Sequence, residues 1–84
     1  MTLSRDDARA TVLAVLGGIA PEADLPALDP QANLRRALDL DSVDFQNFLI
    51  GLVKATGVDI PDRVAPSLVT VEACVRHVMS KSGA

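Results

Sequence analysis

The chain has 84 residues, enough for one small domain with a single hydrophobic core and too few for two. Its formal net charge of −3 disfavours a nucleic-acid partner, because phosphate binding needs a basic face. Hydrophobic residues make up 49% of the chain and aromatic residues only 2%, so the core must be mainly aliphatic. The lone Cys74 excludes an intramolecular disulfide.

The apolar runs of the sequence are short. Pro21, Gly51 and Lys54 interrupt them, and none approaches the length of a bilayer span. Residues 1–6 lack the apolar run of a secretory signal. We therefore expect a cytoplasmic protein without stable membrane insertion.

The first predicted helix begins at Ser4, a good N-cap, with acidic residues in the first turn. Apolar side chains then recur at helical spacing, at Ala8, Val12, Val15, Leu16 and Ile19. Two glycines and Pro21 predict that this helix ends between residues 16 and 20. Residues 21–41 contain three prolines, and leucines at 25, 28, 34 and 38 could anchor the segment, so we predict a long loop packed on the core, with one helical turn capped by Asn33.

A second main helix is predicted from Ser42, itself a favoured N-cap, to Gly57, which suits the left-handed position after a helix. Pro66 limits residues 63–68 to a short helix at best. Thr70 is expected to cap a last helix, followed by a polar tail over residues 80–84, and the apolar stripe of this helix comprises Val71, Cys74, Val75, Val78 and Met79. With no strand alternation, the sequence predicts an all-α fold: a small four-helix bundle with a long first loop and a short third helix.

One stretch carries the functional prediction. Around Ser42 the sequence reads Asp39-Leu40-Asp41-Ser42-Val43-Asp44-Phe45, which places a hydroxyl between carboxylates at a helix start. Most serines at such positions are only helix caps. Here three further segments agree in spacing: leucines at 34 and 38, the run Gly-Val-Asp-Ile-Pro-Asp at 57–62, and Leu-Val-Thr-Val at 68–71. From residue 33 to residue 78 the chain resembles the acyl carrier protein family without a gap.

The resemblance implies that residues 1–84 form a single acyl-carrier-like domain with no catalysis of its own. A phosphopantetheinyl transferase, using its own magnesium ion, would move a 4′-phosphopantetheine arm from coenzyme A to Ser42. Acyl groups would then travel on the arm as thioesters between an acyl-loading enzyme and the synthases or acyltransferases of lipid or polyketide biosynthesis. Partner recognition is expected at Asp41, Val43, Asp44 and Asn47, on a monomer.

The chain also departs from the family pattern. Asp39 stands where the family usually has glycine, so the loop before Ser42 either follows another path or tolerates a non-glycine conformation. Asp44 is the only acid within the second main helix, where fatty-acid-synthesis carriers have several glutamates; Asn47 occupies one of those surface positions. A less acidic helix leaves more docking energy to apolar contacts, which indicates a specialised stand-alone carrier. Gln46 is expected either at the border of a groove that could shelter an acyl chain or simply exposed, and Ala65 is expected as a small core residue that would permit a cavity.

Two alternatives remain open. A peptidyl or aminoacyl carrier would differ in the enzyme that loads it, and an unmodified helical interaction module would use Ser42 only as a cap. Cys74 and His77 lie three residues apart but lack further ligands, so no metal site is predicted. No triad partner for Ser42 is evident. The pair Arg35-Arg36 is interpreted as solvated, without a role.

Overall fold

The computed structural model describes residues 4–82, apart from the side chain of Ser82, and this part of the chain is helical without a strand. It contains helices α1 (Arg5–Ile19), α2 (Leu34–Ala37), α3 (Ser42–Thr56) and α4 (Val71–Ser82), with 3-10 turns at Leu25–Ala27 and Ala65–Ser67. The all-α prediction is confirmed. None of these helices is long and apolar enough to cross a membrane. Residues 1–3, part of the segment without a secretory signal, lie outside the described residues.

Helix α1 begins and ends where local chemistry predicts. The Asp7 N–H donates to Ser4 Oγ at 3.0 Å, so Ser4 caps the helix. At the other end the Ala20 N–H donates to the Leu16 carbonyl oxygen at 2.7 Å, and Pro21 follows at once. Because proline cannot donate the next hydrogen bond, the helix ends at Ile19, within the predicted interval.

The core forms where α1 packs against both α3 and α4. Its buried members come from all four helices and from the connections between them: Ala8, Val12, Leu16, Leu34, Leu40, Phe48, Leu52, Val58, Leu68, Val71, Cys74, Val75 and Val78. Nearly all are aliphatic, as the composition requires, and Phe48 is the one aromatic side chain among them.

The long first loop is attached to the bundle by its backbone. The Leu34 N–H donates to the Val69 carbonyl oxygen at 2.7 Å, and the Glu72 N–H donates to the Pro30 carbonyl oxygen at 3.0 Å. Asn33 caps α2 by accepting from the Arg36 N–H at 3.2 Å. These bonds confirm a packed loop with one capped helical turn, and they fix α2 relative to the start of α4.

The connection from α3 to α4 also follows the sequence pattern. Gly57 has φ 72° and ends α3 in the left-handed conformation. The predicted short third helix is a single 3-10 turn, Ala65–Ser67, because Pro66 cannot donate within a longer helix. Thr70 Oγ1 accepts from the Ala73 N–H at 3.0 Å and caps α4.

The predicted polar tail is wrong in part. Helix α4 continues through Ser82, and the Ser80 hydroxyl donates to the His77 carbonyl oxygen at 2.8 Å. Residues 80–82 contain no glycine or proline, so nothing in them stops the helix. Residues 83 and 84 of that tail lie outside the described part of the chain.

Candidate functional site

The chain reaches Ser42 through a tight turn after α2. The Leu38 N–H donates to the Leu34 carbonyl oxygen (3.0 Å) and the Leu40 N–H to the Arg35 carbonyl oxygen (2.9 Å). This is the bonding pattern of a helix end that needs one left-handed residue, and Asp39 supplies it with φ 53°. Of the two paths expected for Asp39, the structure has the tolerated non-glycine conformation.

Ser42 is not the N-cap of α3, so that prediction is wrong. The cap is Asp41, whose Oδ1 accepts from the Asp44 N–H at 2.7 Å, and Ser42 is the first residue of the helix. Aspartate and serine cap about equally well, and the carboxylate comes one residue earlier. The Ser42 hydroxyl therefore does not cap the start of its own helix, and the side chain is exposed.

The start of α3 is suited to an anion. The N–H groups of Ser42 and Val43 have no acceptor within the helix, and the dipole of a 15-residue helix places partial positive charge there. Such a terminus favours a phosphate group. Asp41 and Asp44 border it with negative charge, which directs a further anion outward, away from the protein surface.

Arg35 reaches this hydroxyl from α2. Its Nη2 donates to Ser42 Oγ at 3.4 Å, a long hydrogen bond between two exposed side chains. Arg35 is exposed, in agreement with its interpretation as a solvated residue, but its contact with Ser42 was not predicted. The two residues are seven positions apart in the chain, and the turn at Asp39 brings them together, so helical spacing alone did not indicate the contact.

A groove of about 440 Å³ begins at Ser42 and runs between α3 and the 3-10 turn Ala65–Ser67. Its walls are mostly apolar: Phe45, Leu49, Ile50, Val53, Ile60, Ala65 and Pro66, with Arg35, Gln46 and Asp62 as the polar side chains. Gln46 thus borders the groove, as expected, and is also exposed. Ala65, expected in the core, is half-buried and lines the groove instead. Phe48 lies in the core, and its ring centroid is 6.2 Å from that of the groove residue Phe45.

The predicted recognition residues lie along the first two turns of α3. Val43 is 65% exposed, which is unusual for a large apolar side chain, and Asn47 one turn later is also exposed. Asp44 is half-buried. Ile50, 46% exposed, was missed, although its position seven residues after Val43 places it on the same helix face. The exposed face of α3 therefore carries apolar side chains and a side-chain amide rather than a row of acidic groups.

Cys74 and His77 take part in packing rather than in the site. Burial raises the pKa of the Cys74 thiol to about 12, and its Sγ donates to the Leu68 carbonyl oxygen at 3.5 Å. His77 Nε2 donates to the Asp59 carbonyl oxygen at 2.9 Å. Within residues 4–82 no three His, Cys, Asp or Glu side chains are grouped so as to hold a metal ion.

Comparison with known proteins indicates the same class of protein as the geometry of this site. The family model described as "Phosphopantetheine attachment site" matches residues 10–78. An acyl carrier protein of Rubrobacter xylanophilus is 38% identical over 50 residues, which cover 60% of this chain and 62% of that protein. Acyl carrier proteins of Picosynechococcus sp. and Lactobacillus acidophilus are each 32% identical, over 75% and 74% of this chain and 78% of their own lengths.

The chain therefore belongs to the acyl carrier protein family, and its cofactor is covalently attached 4′-phosphopantetheine. The structure fits such a group at the start of α3. An exposed hydroxyl, N–H groups of the first turn and an apolar groove meet at one point, which suits a phosphodiester that continues into a flexible arm.

Proposed function

We propose that this protein carries acyl intermediates of lipid or polyketide biosynthesis on an arm attached to Ser42. The observation that carries the proposal is the position of the Ser42 hydroxyl, exposed on the first residue of α3 and at the mouth of the groove. When bound, 4′-phosphopantetheine supplies a terminal thiol that holds acyl groups as thioesters. Residues 1–84 act as one acyl-carrier-like domain.

The residues around Ser42 hold and orient the attachment point. Asp41 fixes the start of α3, and the first-turn N–H groups favour the phosphodiester charge. Asp44 and Asp41 keep the charged link directed toward solvent. An arm held in this way reaches the active sites of other enzymes without unfolding the bundle.

Attachment requires a separate phosphopantetheinyl transferase. It forms a bond between Ser42 Oγ and the phosphorus that carries the arm in coenzyme A, and it breaks the pyrophosphate P–O bond, so that adenosine 3′,5′-bisphosphate leaves. The hydroxyl proton passes to a base. Within residues 4–82 the hydrogen-bond partner of Ser42 Oγ is Arg35, which donates and cannot take a proton. The base therefore belongs to the transferase, and this chain is a substrate and carrier rather than an enzyme.

Partners dock on the exposed face of α3. Asp41, Val43, Asp44 and Asn47 form this docking face, and Ile50 extends it. With a single acid inside α3, docking depends more on apolar burial than on electrostatic steering. The transferase, the acyl-loading enzyme and the synthases or acyltransferases use this face in turn.

A matched pair of variants tests the docking face. Val43→Ser should lower kcat/KM of the transferase for this protein, because an exposed apolar contact is lost. Ala14→Ser alters an exposed residue on α1 and should leave kcat/KM unchanged. Equal kcat/KM for both variants would remove Val43 from the docking face.

We further propose that the protein acts as a cytoplasmic monomer and is a specialised member of its family. The net charge of −3 speaks against nucleic acid as a partner. The low acidity of α3 points to partners other than those of carriers with a glutamate-rich helix.

Loading experiments separate the acyl carrier from its alternatives. The arm-bearing protein is offered fatty acids with an acyl-activating ligase and amino acids with an adenylating ligase, and the mass of each product is recorded. We expect an acyl adduct and no aminoacyl adduct. The reverse result would assign a peptidyl or aminoacyl carrier, and failure of any transferase to attach the arm would support the interaction module.

A further inference from the structure

We infer that Arg35 is a positioning residue that binds the phosphodiester on Ser42 and holds the first part of the arm at the mouth of the groove. The inference rests on the proposed attachment at Ser42 and adds a partner for the charged link. Its ligand class is a phosphodiester oxygen, and the contact is made from α2 rather than from α3.

The Arg35 side chain lies beside the attachment atom. Arg35 Nη2 lies 3.4 Å from Ser42 Oγ, so its guanidinium already stands beside the atom that would bear phosphorus. The phosphodiester oxygens would lie within a short rotation of the arginine side chain. A guanidinium presents several N–H donors in a planar fork and binds phosphate oxygens in pairs.

Attachment of the arm would give Arg35 stronger hydrogen-bond acceptors at Ser42. In the unmodified protein the hydroxyl oxygen accepts a long hydrogen bond from Arg35. In a phosphodiester the negative charge lies on the non-bridging oxygens, which are far better acceptors than the ester oxygen. Arg35 would therefore leave Oγ for these oxygens, and the contact would shorten and strengthen on modification.

A backbone hydrogen bond fixes the position of Arg35 in the turn. The Arg35 carbonyl oxygen accepts from the Leu40 N–H at 2.9 Å, and Leu40 is buried. This bond belongs to the same turn that gives Asp39 its left-handed conformation and leads directly to Ser42. The turn thus holds the arginine and the serine in one local unit.

The charged side chains around the groove also favour Arg35 as the partner of the phosphodiester. Among the described residues that line the groove, Arg35 is the only basic one, and Asp62 is the only acidic one. Asp41 and Asp44, at the start of α3, repel the phosphodiester toward solvent, and a cation at the mouth of the groove determines on which side of the helix start the exposed link lies. Arg36, on the same turn of α2, does not line the groove and serves as a matched control.

The test uses the arm-bearing protein and two NMR readouts that do not depend on acyl transfer. Phosphorus spectra report the phosphodiester, and spectra of the arginine Nε–Hε groups report the side chains before and after modification. The variants are Arg35→Gln, Arg35→Lys and Arg36→Gln. Intact mass first establishes that each protein bears one arm, and circular dichroism establishes that each is helical.

Modification should shift the Arg35 Nε–Hε resonance and leave that of Arg36 in place. Arg35→Gln should shift the phosphorus resonance toward that of a free phosphodiester, Arg35→Lys should shift it less, and Arg36→Gln should not shift it. Equal phosphorus resonances in Arg35→Gln, Arg36→Gln and the unsubstituted protein would overturn the inference while leaving the attachment intact. Absence of any arm on the unsubstituted protein would instead overturn the proposed function.

Discussion

Gly51 on α3 lies so close to Val15 on α1 that a Cβ built on the glycine would be 2.9 Å from Val15 Cγ1. A real Cβ essentially never comes that near, so the two helices can approach as they do only because residue 51 has no side chain. Valine is stiff about its first side-chain torsion and yields little.

Gly51→Ala should therefore destabilise the protein. Overpacking costs about 1–3 kcal/mol, which exceeds the roughly 1 kcal/mol that alanine gains over glycine in helix propensity. In a Val15→Ala background the same substitution should be neutral or stabilising, since the opposing methyl group is gone. Urea unfolding of the four proteins gives the coupling free energy between the two positions. Additive effects would contradict a direct contact between them.

Asp39 adopts φ 53°, a conformation that costs most residues other than glycine free energy. Asp39→Gly should keep the turn and leave the free energy of unfolding unchanged or higher. Asp39→Val should lower it by about 1–2 kcal/mol, because β-branched residues suffer most in this region. Denaturant unfolding checks both. A harmless Asp39→Val would mean that the loop adopts another path.

The cap of α3 gives a prediction that separates Asp41 from Ser42. Asp41→Ala removes the acceptor of the Asp44 N–H and should cost about 0.5–2 kcal/mol. Ser42→Ala removes no cap and should change stability far less, while it abolishes attachment of the arm. Thermal unfolding of the unmodified variants measures the difference. If Ser42→Ala were the more costly change, serine rather than aspartate would be the cap.

Cys74 makes stability depend on pH in the alkaline range. Its pKa is 9.0 in the unfolded reference and about 12 in the folded protein, because burial disfavours the thiolate. The stabilisation is complete below pH 9 and is lost as pH rises through the interval between these values. In Cys74→Ala this part of the pH dependence should vanish, although its stability is lower throughout. Unfolding curves across that range test it, and unchanged pH dependence would contradict the assignment to Cys74.

Much of the fold follows from local sequence. Ser4, Asn33, Thr70 and Gly57 act at the helix ends where their types predict, because capping depends on a few neighbouring residues. The one-residue error at Ser42 arose where two good capping residues are adjacent. The choice between them depends on the backbone path from α2, which the pattern does not specify.

The site was predictable to a lesser extent. The motif around Ser42 and its spacing from the later segments indicated the family, and Gln46 was expected at the groove. The contact between Arg35 and Ser42 was not predictable, because it depends on the direction in which α2 leaves the turn at Asp39. Ile50 differs, because its spacing of seven residues from Val43 places both side chains on one face of α3 and could have indicated its exposure.

The most direct test of the account is the intact mass of the protein after incubation with coenzyme A, magnesium and a broad-specificity phosphopantetheinyl transferase. Ser42→Ala is treated in the same way, with Ser67→Ala as a control at another exposed serine. We expect the mass of one arm on the unsubstituted protein and on Ser67→Ala, and none on Ser42→Ala. An arm on Ser42→Ala, or none on the folded unsubstituted protein with several transferases, would contradict it.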